Sequence, residues 1–209
     1  MAGAPPADAI EAVPTADVEI EKRIYRWVGR HPNIVHSVGI DEGGIHLERA
    51  KDDSLSQYFK EGGTSTRGAC PVDIGGQNIL LDAGRTIKVC GFAGSSIDDI
   101  PHTVVAQDGF RHPDDDEAMG DTLRAEIHAL GFTIFEIMTS TCPHWCEEEE
   151  TGMALDLMRK DVYCDIDGVV LGCVISACWE GNYVSAEEVA EGIEVELQRC
   201  GSEYSHYGH

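Results

Sequence analysis

The sequence predicts an α+β fold, on three observations. Short strand-like runs joined by Gly- and Asp-containing turns fill the N-terminal half, segments of helical periodicity dominate the C-terminal half, and no internal repeat is present. The chain has 209 residues, 42% of them apolar, which suits a single domain with a true core.

Residues 1–16 are rich in Ala and Pro and lack periodicity, so they read as a disordered leader. From Asp17 the pattern changes. Ile20, Ile24, Trp27 and Val28 recur at helical spacing and predict an amphipathic helix ending near Gly29, stopped by His31-Pro32-Asn33. The runs IVHSVGI and GIHLERA then predict two strands around the turn Asp41-Glu42-Gly43-Gly44. Ser54 opens a short helix, SLSQYF, closed by Gly62-Gly63. NILLD and TIKVCGF are the next strands, joined by Ala83-Gly84-Arg85, and residues 94–120 read mostly as loop.

Four helices follow. AEIHALGFTIFEIMTS is apolar nearly all round, the mark of a helix buried on most sides. MALDLMRK and VVLGCVISACW are shorter. SAEEVAEGIEVELQRC begins with a serine cap and an acidic first turn. The expected organisation is therefore a leader over 1–16, a domain over 17–200 and a flexible tail over 201–209.

The formal charge of −23 weighs against nucleic-acid and anionic-membrane partners, whose phosphates such a surface repels. An unidentified protein partner remains allowed. The first residues carry Asp8, Glu11 and Asp17 and no apolar run of the secretory kind, and no stretch reaches the length of a membrane span. These features predict a cytoplasmic or nuclear, non-secreted protein whose eight cysteines are free thiols. Cys142, His144 and Cys146 lie close together, but C-x-H-x-C is not the paired C-x-x-C spacing of a zinc site.

The chemistry-bearing stretch runs from Val72 to Gly94, VDIGGQNILLDAGRTIKVCGFAG. Asp73 and Asn78 are separated by four residues, a strand pair follows, and a Phe-x-Gly element closes it. Together these resemble the catalytic and metal-binding loops of eukaryotic-type serine/threonine protein kinases. Other blocks agree in order. EKRIYRWVGRHPNIV resembles kinase helix C, and GIHLERAKDDSLSQYF the last N-lobe strand, hinge and helix D. FRHPDDD is similar to the end of the activation segment, AEIHALGFTIFEIMTSTCPHW to helix F, and CWEGNYVSAEEV to the segment after helix H. The wording is most similar to the short kinase-like proteins of filamentous fungi.

The resemblance implies a protein-kinase-like fold, truncated and degenerate. It would have a partial N-lobe (helix C and two to three strands) and a mostly helical C-lobe lacking helix E. It implies Asp73 as the catalytic base position, Asn78 as a metal ligand, and Glu21 as the glutamate that clamps the nucleotide lysine. Several departures put that site in doubt. Gly91 replaces the metal-holding aspartate, and a hydrogen cannot coordinate magnesium. No G-x-G-x-x-G loop and no V-A-I-K-like strand precede Glu21, which then reads as a solvated helix glutamate. Pro71-Val72 stands in place of His-Arg, and Glu126 in place of the aspartate that braces the catalytic loop. Only KEGGTSTRGACPV separates Phe59 from Asp73, too polar and short for helix E, so the helix-F-like segment should carry an exposed apolar patch.

These departures favour a pseudokinase that serves as a binding scaffold, with Asp73 vestigial and no cofactor required. The alternatives are a divergent kinase using ATP and magnesium, and a decayed or mis-spliced kinase gene product.

Overall fold

The computed structural model describes residues 15–50, 54, 78–82, 84, 86–98, 109–114, 123–141 and 153–205. Helix α1 (Thr15–Val28) has Asp17 in its first turn and Arg26 in its last, each favourable to the helix dipole. Gly29 ends it at φ +61, donating its N–H to Tyr25 O at 3.1 Å. The buried face is not quite the one the apolar spacing suggests. Ile20, Ile24 and Tyr25 are buried, whereas Trp27 is 82% exposed. Trp27 fits the apolar period of Ile20 and Ile24, but at the last turn of the helix it stays exposed.

The two expected strand pairs form. Strands β1 (Ser37–Asp41) and β2 (Gly44–Leu47) pair antiparallel with Asp41 opposite Gly44. Asp41 Oδ1 accepts the Gly43 N–H at 2.8 Å, and Oδ2 contacts His46 Nε2 at 3.0 Å, so one carboxylate fixes both turn and register. Strands β3 (Ile79–Leu81) and β4 (Ile87–Val89) form the second antiparallel pair. Asp82 closes its turn in the same way, accepting the N–H groups of Gly84 and Thr86 at 2.8 and 2.9 Å. Those N–H groups, with Lys88 nearby, hold its carboxyl below the usual range.

β4 is also tied to the loop after α1. Val89 N–H donates to Asn33 O at 2.8 Å and Val35 N–H to Val89 O at 3.0 Å. The short helix expected from Ser54 lies outside the described residues except for Ser54 itself, which bridges to Leu80. The segment that would hold helix E also lies outside them, as do residues 1–14 of the leader expected over 1–16, whose last two residues, Thr15 and Ala16, belong to α1.

The main core belongs to the C-terminal helices: α2 (Leu123–Thr139), α3 (Met153–Met158), α4 (Gly172–Trp179) and α5 (Ala186–Ser205). α2 is buried over residues 127–136 except at the partly buried Leu130. The exposed apolar side chains on it among the described residues, Leu123 and Met138, stand at its two ends and not over this stretch. Phe132 is fully buried and its ring lies 4.6 Å from that of Trp179, while Tyr163 stacks on Trp179 at 5.2 Å and 13°. Such pairs contribute about 0.5–1.5 kcal/mol each beyond their buried area. Ile137, near the end of α2, packs on Ile79 and Leu81 of β3 and so joins the two halves.

Two helix boundaries differ from expectation. α4 begins only at Gly172, because Gly168 and Leu171 are both left-handed and break the run before it. α5 continues through Ser205, past Cys200, where the tail was expected to start. Its N-terminus is a reciprocal cap: Glu188 N–H donates to Ser185 Oγ at 3.2 Å, and Val184 N–H to Glu188 Oε2 at 2.8 Å. No helix among the described residues is long and apolar enough to cross a membrane.

The α2–α4 contact is close because Gly131 lacks a side chain. A Cβ there would stand 2.6 Å from Cys178 Cβ and 3.1 Å from the Trp179 ring. Gly131→Ala should therefore cost about 1–3 kcal/mol by overpacking, despite alanine's better helix propensity; a lowered urea midpoint checks it.

His128, fully buried on α2, supplies a pH dependence. Burial first, then His112, push its pKa down to about 4, against the pull of Phe110 O. The unfolded chain takes up this proton below pH 6.5 and the folded chain does not. Stability should thus be full above pH 6.5 and fall by up to about 3 kcal/mol as the pH drops to about 4. In His128→Gln the slope of unfolding free energy against pH across that window should flatten.

Candidate functional site

The site is built where α1 meets the segment after β4. Burial of Ile20, Ile24 and Tyr25 fixes the roll of α1 and turns Glu21 toward Gly91-Phe92. Tyr25 and Phe92 meet edge-to-face at 5.5 Å. Glu21 Oε1 accepts the Phe92 N–H at 3.1 Å. Glu21 is thus not the solvated glutamate its sequence context suggested: it is half-buried. Desolvation raises its pKa, partly offset by the Phe92 N–H. Among the described residues no cation contributes to that balance, since Lys22 is paired with Glu19 and Arg23 with Asp98. Burial and the Glu21 charge together raise the pKa of Tyr25 and of the Cys90 thiol.

Asn78 and Gly91 come together across the base of the β3–β4 pair. Cys90 N–H donates to Asn78 O at 2.9 Å, extending the ladder by one step. Gly91 is left-handed at φ +74, a conformation open to Gly and, among other residues, best tolerated by Asn and Asp. A Cβ on Gly91 would stand 2.5 Å from Asn78 Oδ1 and 2.7 Å from its Cγ. The Asn78 amide therefore occupies the space a side chain at 91 would need. Asp73 lies outside the described residues.

This arrangement does not fit a magnesium ion. Mg²⁺ requires near-octahedral oxygen ligation, usually including carboxylates. Of the two positions here, Gly91 offers no side-chain oxygen, and Asn78 offers one amide. Among the described residues, no group of three or more His, Cys, Asp or Glu is placed to hold a metal ion. Cys142, His144 and Cys146 are outside the described residues, and Cys90, Cys173, Cys178 and Cys200 form no disulfide among the described residues. Cys178 is a core residue whose thiol is pushed up to about 11 by burial.

The segment likened to the end of an activation segment is anchored under α2. Phe110 is fully buried, His112 nearly so, and Arg159 Nε donates to Pro113 O at 3.3 Å. The contact between Glu21 and Phe92, 71 residues apart, carried no signal in the sequence. Helical periodicity could place Glu21 beside the buried face but could not name the loop against it.

A carboxylate that is half-buried without a cation is costly when ionised. Above the unfolded-state pKa of about 4.3 the unfolded chain releases this proton more readily, so folding stability falls as pH rises through the raised native pKa. Glu21→Gln keeps an acceptor for Phe92 N–H and removes the charge. It should be neutral or stabilising at pH 7 in thermal denaturation; a clear loss would instead reveal an ion pair at Glu21.

No family model matches the chain. It is similar to a probable leucine-rich repeat receptor-like protein kinase of Arabidopsis thaliana, 29% identical over 127 residues, which are 61% of this chain and 16% of that protein. The likeness thus spans a small part of the relative's length. It points to a distant kinase-like relationship.

Proposed function

We propose that the chain is a kinase-like scaffold that does not transfer phosphate, and that it acts by binding. The observation that carries this reading is the Gly91–Asn78 contact. The position that would hold a metal carboxylate is a glycine, and the neighbouring amide fills the room a side chain would take. Phosphoryl transfer depends on positioning and on metal charge held against the phosphates. A site without that carboxylate loses several kcal/mol of transition-state stabilisation, and each 1.36 kcal/mol is tenfold in rate.

Two further features support the reading. The glutamate in the helix-C-like position accepts the Phe92 N–H, and no lysine among the described residues pairs with it. The left-handed Gly91 has the backbone of a loop that an aspartate could once have occupied, which suits loss of a ligand from a retained fold. The aromatic core around Phe132 and Trp179 favours a folded scaffold over a decayed gene product.

Thermal unfolding in millimolar ATP with magnesium tests the proposal. A ligand at 100-fold over its Kd adds about 2.7 kcal/mol, which shifts a domain of this size by roughly 5–10 °C. The expected result is no shift. Gly91→Asp should gain neither a shift nor phosphorylation activity, and should melt lower because its side chain meets Asn78. A nucleotide-dependent rise of several degrees in the unsubstituted protein would sink the scaffold reading.

A further inference from the structure

The outer face of α1 is at odds with the rest of the molecule. In a chain with 38 acidic and 15 basic residues, Arg23 and Arg26 flank an indole, Trp27, that is 82% exposed. Their spacing puts all three on one side of α1, away from the buried Tyr25. They form the wall of a groove of about 800 Å³ whose floor includes Ile24, Phe92 and Ile97. A tryptophan between arginines over an apolar floor is the composition that dominates binding energy at protein interfaces.

The charges in the groove are available. Arg26 makes no hydrogen bond, and acts only at longer range on Glu19, which is itself paired with Lys22. Arg23 gives one N–H to Asp98 at 2.7 Å, an exposed pair that leaves its other donors unused. Asp98 is the one carboxylate lining the groove among the described residues. An incoming carboxylate thus meets two guanidinium groups against a single acid that is already engaged.

We propose that this groove docks an acidic peptide segment of a partner protein. An aromatic or aliphatic side chain seats on Ile24, Phe92 and Ile97 beside Trp27, and flanking carboxylates pair with Arg23 and Arg26. The occupant is a peptide rather than a lipid surface because the apolar floor is recessed. In addition, the overall charge of −23 repels an extended anionic sheet. A peptide feels mainly the local field, since distant charges are screened beyond about 8 Å at physiological salt. The proposal gives the scaffold reading its binding surface, and it does not depend on the nucleotide question.

Fluorescence polarisation of the full chain tests it with a short labelled peptide of glutamates around one phenylalanine, and with its lysine counterpart. The glutamate peptide should bind and the lysine peptide should not. Trp27→Ala should weaken binding at least tenfold, and Arg26→Glu should reverse the charge preference. Both side chains are exposed, so melting temperatures of the two variants should stay close to that of the parent. Absence of binding at millimolar peptide, or equal binding of both peptides, would overturn the proposal. So would binding unaffected by both substitutions, capture by anionic vesicles without peptide binding, or self-association abolished by Trp27→Ala. A chain that binds the glutamate peptide and is also stabilised by ATP with magnesium would keep the docking site and lose the scaffold reading.

Discussion

α2 is buried at every position from 127 to 136 except the partly buried Leu130, so nearly all of its surface must be covered, and that requirement sets the neighbouring elements. A helix of this kind gains its stability from tertiary burial rather than from propensity. α4 approaches it at Gly131, where the absent Cβ lets Cys178 and Trp179 come close. Met158 of α3 and Val189 of α5 complete the same cluster, and Phe110 enters it from the preceding segment. Ile137 then carries the helix to β3, so the hairpin that places Asn78 beside Gly91 rests on the same element as the main core.

The candidate site inherits its geometry from two tethers of different kinds. Backbone bonds of Asn33 and Val35 to Val89 hold β4 against the loop after α1. The Glu21–Phe92 bond and the Tyr25–Phe92 ring contact hold the segment after β4 against α1 itself. The first tether pairs both the N–H and the carbonyl of Val89. The second leaves a carboxylate partly desolvated with one N–H for company, an arrangement that disfavours its charge. In the kinase-like reading, the site has kept its architecture while losing the charged ligands that architecture would serve.

Charge is unevenly divided over the molecule. The acidic excess makes most of the surface repel anions, but the exposed side of α1 presents two arginines and an unburied indole. Exposed large apolar side chains bounded by charge mark interaction surfaces more reliably than net charge does. Composition gives only the average field and could not reveal this local inversion.

Much of the architecture was legible in the residues. The turns at Asp41 and Asp82, the cap at Ser185, the order of strands and helices and the all-round apolar character of α2 are local properties. Each follows from side-chain hydrogen bonding or periodicity within a few residues. The sequence also singled out Gly91, which stands where the kinase resemblance implies a metal-holding aspartate and has no side-chain oxygen to offer. Tertiary structure alone decided the rest. Trp27 fits the apolar period yet faces outward, because burial depends on where the core lies and not on the period. Glu21 reads as a solvated helix residue yet meets Phe92, because a contact between residues 71 apart is set by how α1 rolls on the hairpin. The collision that awaits a side chain at Gly91 depends on where the Asn78 amide comes to rest, and only the folded chain fixes that.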